Sequence, residues 1–102
     1  MAKFQRVANL DDIPQGKGIV VEMDGKEIAV FNVGGDFHAV GNMCTHRGGP
    51  LGEGNLRGKV VSCPWHGAQF DVTSGQVVSP PASGDAPSYS TRVEDGGVWV
   101  EI

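Results

Sequence analysis

Apolar and polar positions along this chain fall into short runs, and glycine, aspartate or asparagine closes most of them. Residues 18–23 and 27–32 form two apolar-rich runs on either side of Asp24-Gly25, a dipeptide suited to a tight hairpin turn. Gly34-Gly35 sets off the next run, residues 36–40. Three further short strands are expected at 59–62, 69–72 and 76–78, with Thr73-Ser74-Gly75 turning between the last two. Residues 88–93 and 98–102 read as a final hairpin around Glu94-Asp95-Gly96-Gly97. Only Leu10-Asp11-Asp12-Ile13-Pro14 suggests a turn of helix. Short strands at regular spacing with glycine turns predict an all-β barrel or sandwich. There is no repeat, low-complexity stretch or linker, and 102 residues fit one domain, 1–102.

Charge narrows the function classes. Eight basic and twelve acidic residues give a net charge of −4, which argues against nucleic-acid or anionic-membrane binding. The acids, among them Asp11, Asp12, Glu22, Asp24, Glu27, Glu94, Asp95 and Glu101, are scattered as on a solvated surface. No apolar core of a signal peptide follows Met1, and no run approaches the roughly 20 apolar residues of a bilayer span.

The candidate chemistry lies in two runs, Cys44-Thr45-His46 and Cys63-Pro64-Trp65-His66, which hold both cysteines of the chain. Two thiolates and two imidazoles complete a four-donor set for zinc or for an iron–sulfur cluster. A structural zinc site more often spaces its donors as C-x₂₋₄-C or H-x₃₋₅-H, whereas here the pairs are Cys-x-His and Cys-x-x-His. One thiolate and one imidazole from each run would serve two metals, with sulfur on one and nitrogen on the other. Both cysteines are then engaged, none remains for a disulfide, and a reducing, cytoplasmic setting is expected. His38 lies outside both runs and is expected to be an ordinary strand residue. Arg47, Arg57 and Lys59 near the runs are expected to be solvated.

Cys44-Thr45-His46-Arg47-Gly48-Gly49-Pro50-Leu51 and Cys63-Pro64-Trp65-His66-Gly67-Ala68-Gln69-Phe70-Asp71 resemble the two cluster-binding boxes of the Rieske family. The similarity extends to Thr73-Ser74-Gly75 and to Pro80-Pro81-Ala82, which resembles the family's proline loop over the cluster. The resemblance implies an antiparallel β-sandwich or barrel with a small inserted cluster-binding subdomain at about 41–81. It implies one Rieske-type [2Fe–2S] cluster held by Cys44, His46, Cys63 and His66, with Pro80-Pro81 as a lid, and Trp65 between Pro64 and His66 either shields the cluster from water or packs in the core. High-potential members carry a serine and a tyrosine just after the second box, where this chain has Ala68 and Phe70, neither with a side-chain donor. The potential expected is therefore near the low end of the range of about −150 to +300 mV for such centres. Respiratory members carry a membrane anchor and an additional cysteine pair, and Trp65 occupies one of those cysteine positions.

The resemblance points to a non-enzymatic ferredoxin that shuttles single electrons. Its implied partners are a flavin-dependent NAD(P)H reductase and a terminal oxygenase that hydroxylates aromatic rings. The chain holds no dinucleotide fingerprint and no second metal set of the two-histidine, one-carboxylate kind. Three alternatives stand beside this reading: a small subunit of an assimilatory nitrite reductase, a stand-alone Rieske carrier for another oxidoreductase, and a structural zinc module.

Overall fold

The computed structural model describes residues 3–42, 50–65, 67–79 and 84–101. Over these the chain folds into short strands: β1 (Phe4–Asn9), β2 (Gly18–Met23), β3 (Lys26–Val33), β4 (Asp36–Gly41), β5 (Asn55–Arg57), β6 (Val60–Ser62), β7 (Gln69–Asp71), β8 (Val77–Ser79), β9 (Ser88–Tyr89), β10 (Thr91–Glu94) and β11 (Gly97–Glu101). They form three antiparallel sheets, in the orders β1-β11-β10, β2-β3-β4-β9 and β5-β6-β7-β8. No α-helix occurs among the described residues, and Leu10–Asp12 and Leu51–Glu53 make single 3₁₀ turns.

The β2-β3-β4-β9 sheet is the middle layer. Residues 28–32 of β3 are buried without interruption, and the apolar run Ile28-Ala29-Val30-Phe31 within them signals burial on both faces. Successive side chains of a strand point to opposite sides. Ile28 and Val30 accordingly pack with Phe37, Val98 and Val100 in one core, facing β11. Ala29 and Phe31 pack with Leu51, Val61, Cys63, Ala68 and Phe70 in the other. That second core joins the middle layer to the β5–β8 sheet, which lies between β4 and β9 in the chain. A side chain added at Gly18 would lie 2.5 Å from the Phe31 ring, so the close approach there requires glycine.

Three elements depart from expectation. β1 is a strand where no element was expected. It pairs with β11 and breaks register between Arg6 and Ala8, an irregularity that weakens its alternation. β5 also went unpredicted, since it carries one apolar residue, Leu56, between Gly54 and Gly58. Residues 88–93 are two strands, not one. Ser88 and Tyr89 pair with β4, and from Thr91 the chain pairs with β11. The Thr91 hydroxyl donates to the Phe37 carbonyl at 2.5 Å and ties the two sheets together at that step.

Candidate metal centre

Cys63, Pro64 and Trp65 of the second Cys/His run follow β6 in the loop of the β6–β7 hairpin, whose register is Val60↔Asp71, Val61↔Phe70 and Ser62↔Gln69. Cys63 leaves β6 with both backbone groups used inside the turn. Its N–H donates to the Ala68 carbonyl at 2.7 Å, and its carbonyl accepts from the Gly67 N–H at 3.0 Å. Gly67 has φ +77° with nothing near its missing Cβ, so glycine is needed there for its left-handed backbone and not for space. The Gln69 amide donates to the Ser62 hydroxyl at 3.2 Å across the base of the turn.

This turn separates its side chains by environment. Cys63 is 4% exposed, makes no disulfide, and packs in one core with Leu51, Val61, Ala68 and Phe70. Trp65, two residues on, is 57% exposed, which rules out a core-packing role. Ala68 and Phe70 are fully buried, and neither brings a polar side-chain atom into the surroundings of Cys63. His38 is a half-buried residue of β4 opposite Phe31, as expected of an ordinary strand position.

Below the turn, Lys59 and Asp71 form an ion pair at 3.5 Å. Asp71 also accepts from the Thr73 hydroxyl at 2.5 Å and the Thr73 N–H at 2.8 Å. Burial pushes the Asp71 carboxyl upward, but these two hydrogen bonds and the Lys59 ammonium outweigh it and hold the carboxyl below its ordinary range. Arg57 is exposed. Beyond this corner, Gly75 donates to the Asp71 carbonyl and accepts from the Ala86 N–H, both at 2.7 Å. Val77 N–H donates to the Asp85 carboxylate at 2.8 Å. Residues 75–77 are thus bonded to 85 and 86, which follow the Pro80-Pro81 segment. A Cβ on Gly75 would collide with the Ala86 carbonyl oxygen, and its φ is +80°.

Cys44, His46, Arg47, His66, Pro80 and Pro81 lie outside the described residues, and among the described residues no three His, Cys, Asp or Glu side chains come together. The donor that is described fits a soft metal centre. A buried thiol without a disulfide partner, on a turn whose backbone is internally bonded, suits a metal–thiolate bond shielded from water. Sequence reasoning missed the buried amide of Asn42, which stands two residues before Cys44, the first residue of the first box, and is 2% exposed. A polar residue between a strand and a cysteine carries no mark of burial in the sequence.

The family model described as "Rieske [2Fe-2S] domain" matches residues 3–90. The ferredoxin component of the naphthalene 1,2-dioxygenase/salicylate 5-hydroxylase systems of Ralstonia sp. is 37% identical over 95 residues, covering 93% of this chain and 91% of that one. A ferredoxin solved in complex with the oxygenase of carbazole 1,9a-dioxygenase superposes with a TM-score of 0.90 at 34% identity, covering 95% of this chain and 91% of that one. A structure described as a putative NADH-dependent nitrite reductase small subunit from Mycobacterium tuberculosis superposes with a TM-score of 0.89 at 25% identity, over 100% of this chain and 96% of that one.

Proposed function

The chain belongs to the Rieske [2Fe–2S] family and carries one Rieske-type cluster, and from that premise we propose that it takes single electrons from a flavin-dependent NAD(P)H reductase and delivers them to a terminal oxygenase that hydroxylates aromatic rings. The observation that carries this reading is the end-to-end match to a ferredoxin component: 37% identity over nearly the whole of both chains. The nitrite reductase reading has 25% identity behind it. Family membership sets aside the zinc module.

The cluster supplies one-electron chemistry when bound, and Cys44, His46, Cys63 and His66 would hold it, the thiolates on one iron and the imidazoles on the other. The inserted segment of about 41–81 would form its binding subdomain. The apolar seat of Cys63 keeps water from its sulfur, and Pro80-Pro81 would serve as a lid over the cluster. Ala68 and Phe70 give the sulfur atoms no side-chain donor, which favours a potential at the low end of the class. Trp65 offers an exposed aromatic surface beside His66, where a protein partner would bring its own redox centre close. Aromatic residues are favoured in such contacts because they bury much area at small entropic cost. No helix among the described residues is long and apolar enough to cross a membrane. We place the protein in the cytoplasm, where its two thiols remain reduced.

The test is reconstitution of the electron path. The loaded protein is mixed with NADH, the reductase of an aromatic-ring dioxygenase system and its oxygenase, and product is followed as the carrier concentration is raised. The reading predicts saturable, carrier-dependent turnover. Turnover unchanged by the fully loaded carrier, across several such reductase–oxygenase pairs, would defeat it.

A further inference from the structure

Asn42 forms a four-bond clamp at the base of the first box. Its N–H donates to the Glu27 carbonyl at 3.0 Å, and its carbonyl accepts from the Leu51 N–H at 2.7 Å. Its side-chain Oδ1 accepts from the Gly52 N–H at 2.7 Å, and its Nδ2 donates to Glu27 Oε1 at 3.1 Å. The residue that precedes segment 43–49 is thereby bonded to two residues that follow it and to the adjacent strand β3. The fit leaves no slack at the far end. A Cβ on Gly52 would lie 2.5 Å from Val20 Cγ2 and 3.1 Å from Asn42 Oδ1.

Asparagine is the side chain this position calls for. A neutral amide presents an acceptor to one neighbour and a donor to the other. Alanine would leave the Gly52 N–H without its acceptor in a buried place. Aspartate would set a second carboxylate against Glu27. The molecule also contains a matched comparison. Asn32, 8% exposed, donates through Nδ2 to the Ile13 carbonyl at 2.8 Å and accepts at Oδ1 from the Gly35 N–H at 2.9 Å. Its backbone bonds Gly16 and Lys17. Asn32 stands near the other end of β3 and clamps a loop that carries no candidate donor.

We propose that Asn42 is a positioning residue for the metal centre: it joins both ends of the segment bearing Cys44 and His46 and so sets where those donors stand relative to Cys63. This rests on the reading that Cys44 and His46 are ligands. If two clamps of similar chemistry differ only in the loop they close, removing each should cost stability alike. Only removal of Asn42 should loosen the cluster.

The experiment compares the loaded wild type with Asn42→Ala, Asn32→Ala, Glu27→Ala and Cys44→Ala. It reads melting temperature, the rate at which visible cluster absorbance is lost to a chelator, and the EPR g-values of the reduced protein. Both asparagine variants are expected to melt lower. Asn42→Ala is expected to lose its cluster about tenfold faster than Asn32→Ala and to shift or broaden its g-values, a factor in keeping with one buried hydrogen bond. Glu27→Ala, at an exposed position, should change the loss rate in the same direction by less. Equal cluster lifetimes and g-values in Asn42→Ala and Asn32→Ala would overturn the proposal. If Asn42→Ala does not fold, a Glu27→Ala variant no faster than Asn32→Ala overturns it instead. Cys44→Ala separates the two layers of the reasoning. A cluster retained in that variant removes the ligand assignment and the proposal together, whereas its loss beside a wild-type Asn42→Ala removes the proposal alone.

Discussion

Ala68→Ser places a hydroxyl where the second box now has only a methyl group. Ala68 is fully buried, and its carbonyl receives the Cys63 N–H at 2.7 Å, so the new donor would sit within the Cys63 turn itself. With neutral histidines, two ferric ions, two sulfides and two thiolates sum to zero, and the reduced centre carries one additional negative charge. A hydrogen bond to a charged acceptor contributes about 1.5–3 kcal/mol, against about 0.5–1.5 kcal/mol for a neutral one. The serine therefore stabilises the reduced form over the oxidised form by about 1 kcal/mol, the difference between those two cases. At about 59 mV per 1.4 kcal/mol for one electron, this raises the potential by about 40 mV. Phe70→Tyr acts in the same direction, although its hydroxyl enters a fully buried site and must find a partner there to avoid a stability cost. The assay is a spectroelectrochemical titration of wild type and variant at one pH and ionic strength. A shift below about 10 mV, or one towards more negative potential, would refute the claim that missing side-chain donors hold the potential low.

Trp65→Ala should leave the midpoint of thermal unfolding nearly unchanged, within about 0.5 kcal/mol of wild type, because the side chain is 57% exposed. Its rate of electron delivery to the oxygenase should nevertheless fall several-fold in stopped-flow mixing. An unchanged rate would show that the indole takes no part in the partner contact. Asp71→Asn tests the charge pairing beneath the turn. The Asp71 carboxyl is held below its ordinary range, so the stability it contributes is complete above the unfolded-state value near 3.9 and disappears as pH falls through the lower folded value. The variant should be about 1 kcal/mol less stable at neutral pH and should approach wild type in strong acid, as read by denaturant unfolding across pH. A difference that is constant with pH would mean that the charge contributes nothing.

Most of the architecture was legible in local patterning. The Asp24-Gly25 hairpin, the run ending at Val40 and the strands either side of Cys63 follow from apolar periodicity broken by glycine. What escaped was decided by long-range pairing. β1 owes its conformation to β11, at the opposite end of the chain, and β5 is carried by β6 with one apolar residue of its own. The break at Ser90 was not readable either, because a run of alternating residues does not reveal that its two halves pair with different sheets. At the metal centre the donor types were plain, since both cysteines of the chain fall in the two boxes. The supporting contacts were not. Asn42 and Gly75 bond to residues distant in the chain, and neither differs in sequence from a residue of an ordinary turn.

An EPR-monitored redox titration of the anaerobically purified protein decides whether this chain is a low-potential one-electron carrier. The expected result is a one-electron signal with average g below the free-electron value and a midpoint near the low end of the class, about −150 mV. A midpoint well above zero, or zinc in place of iron with no signal from fully loaded protein, would contradict it.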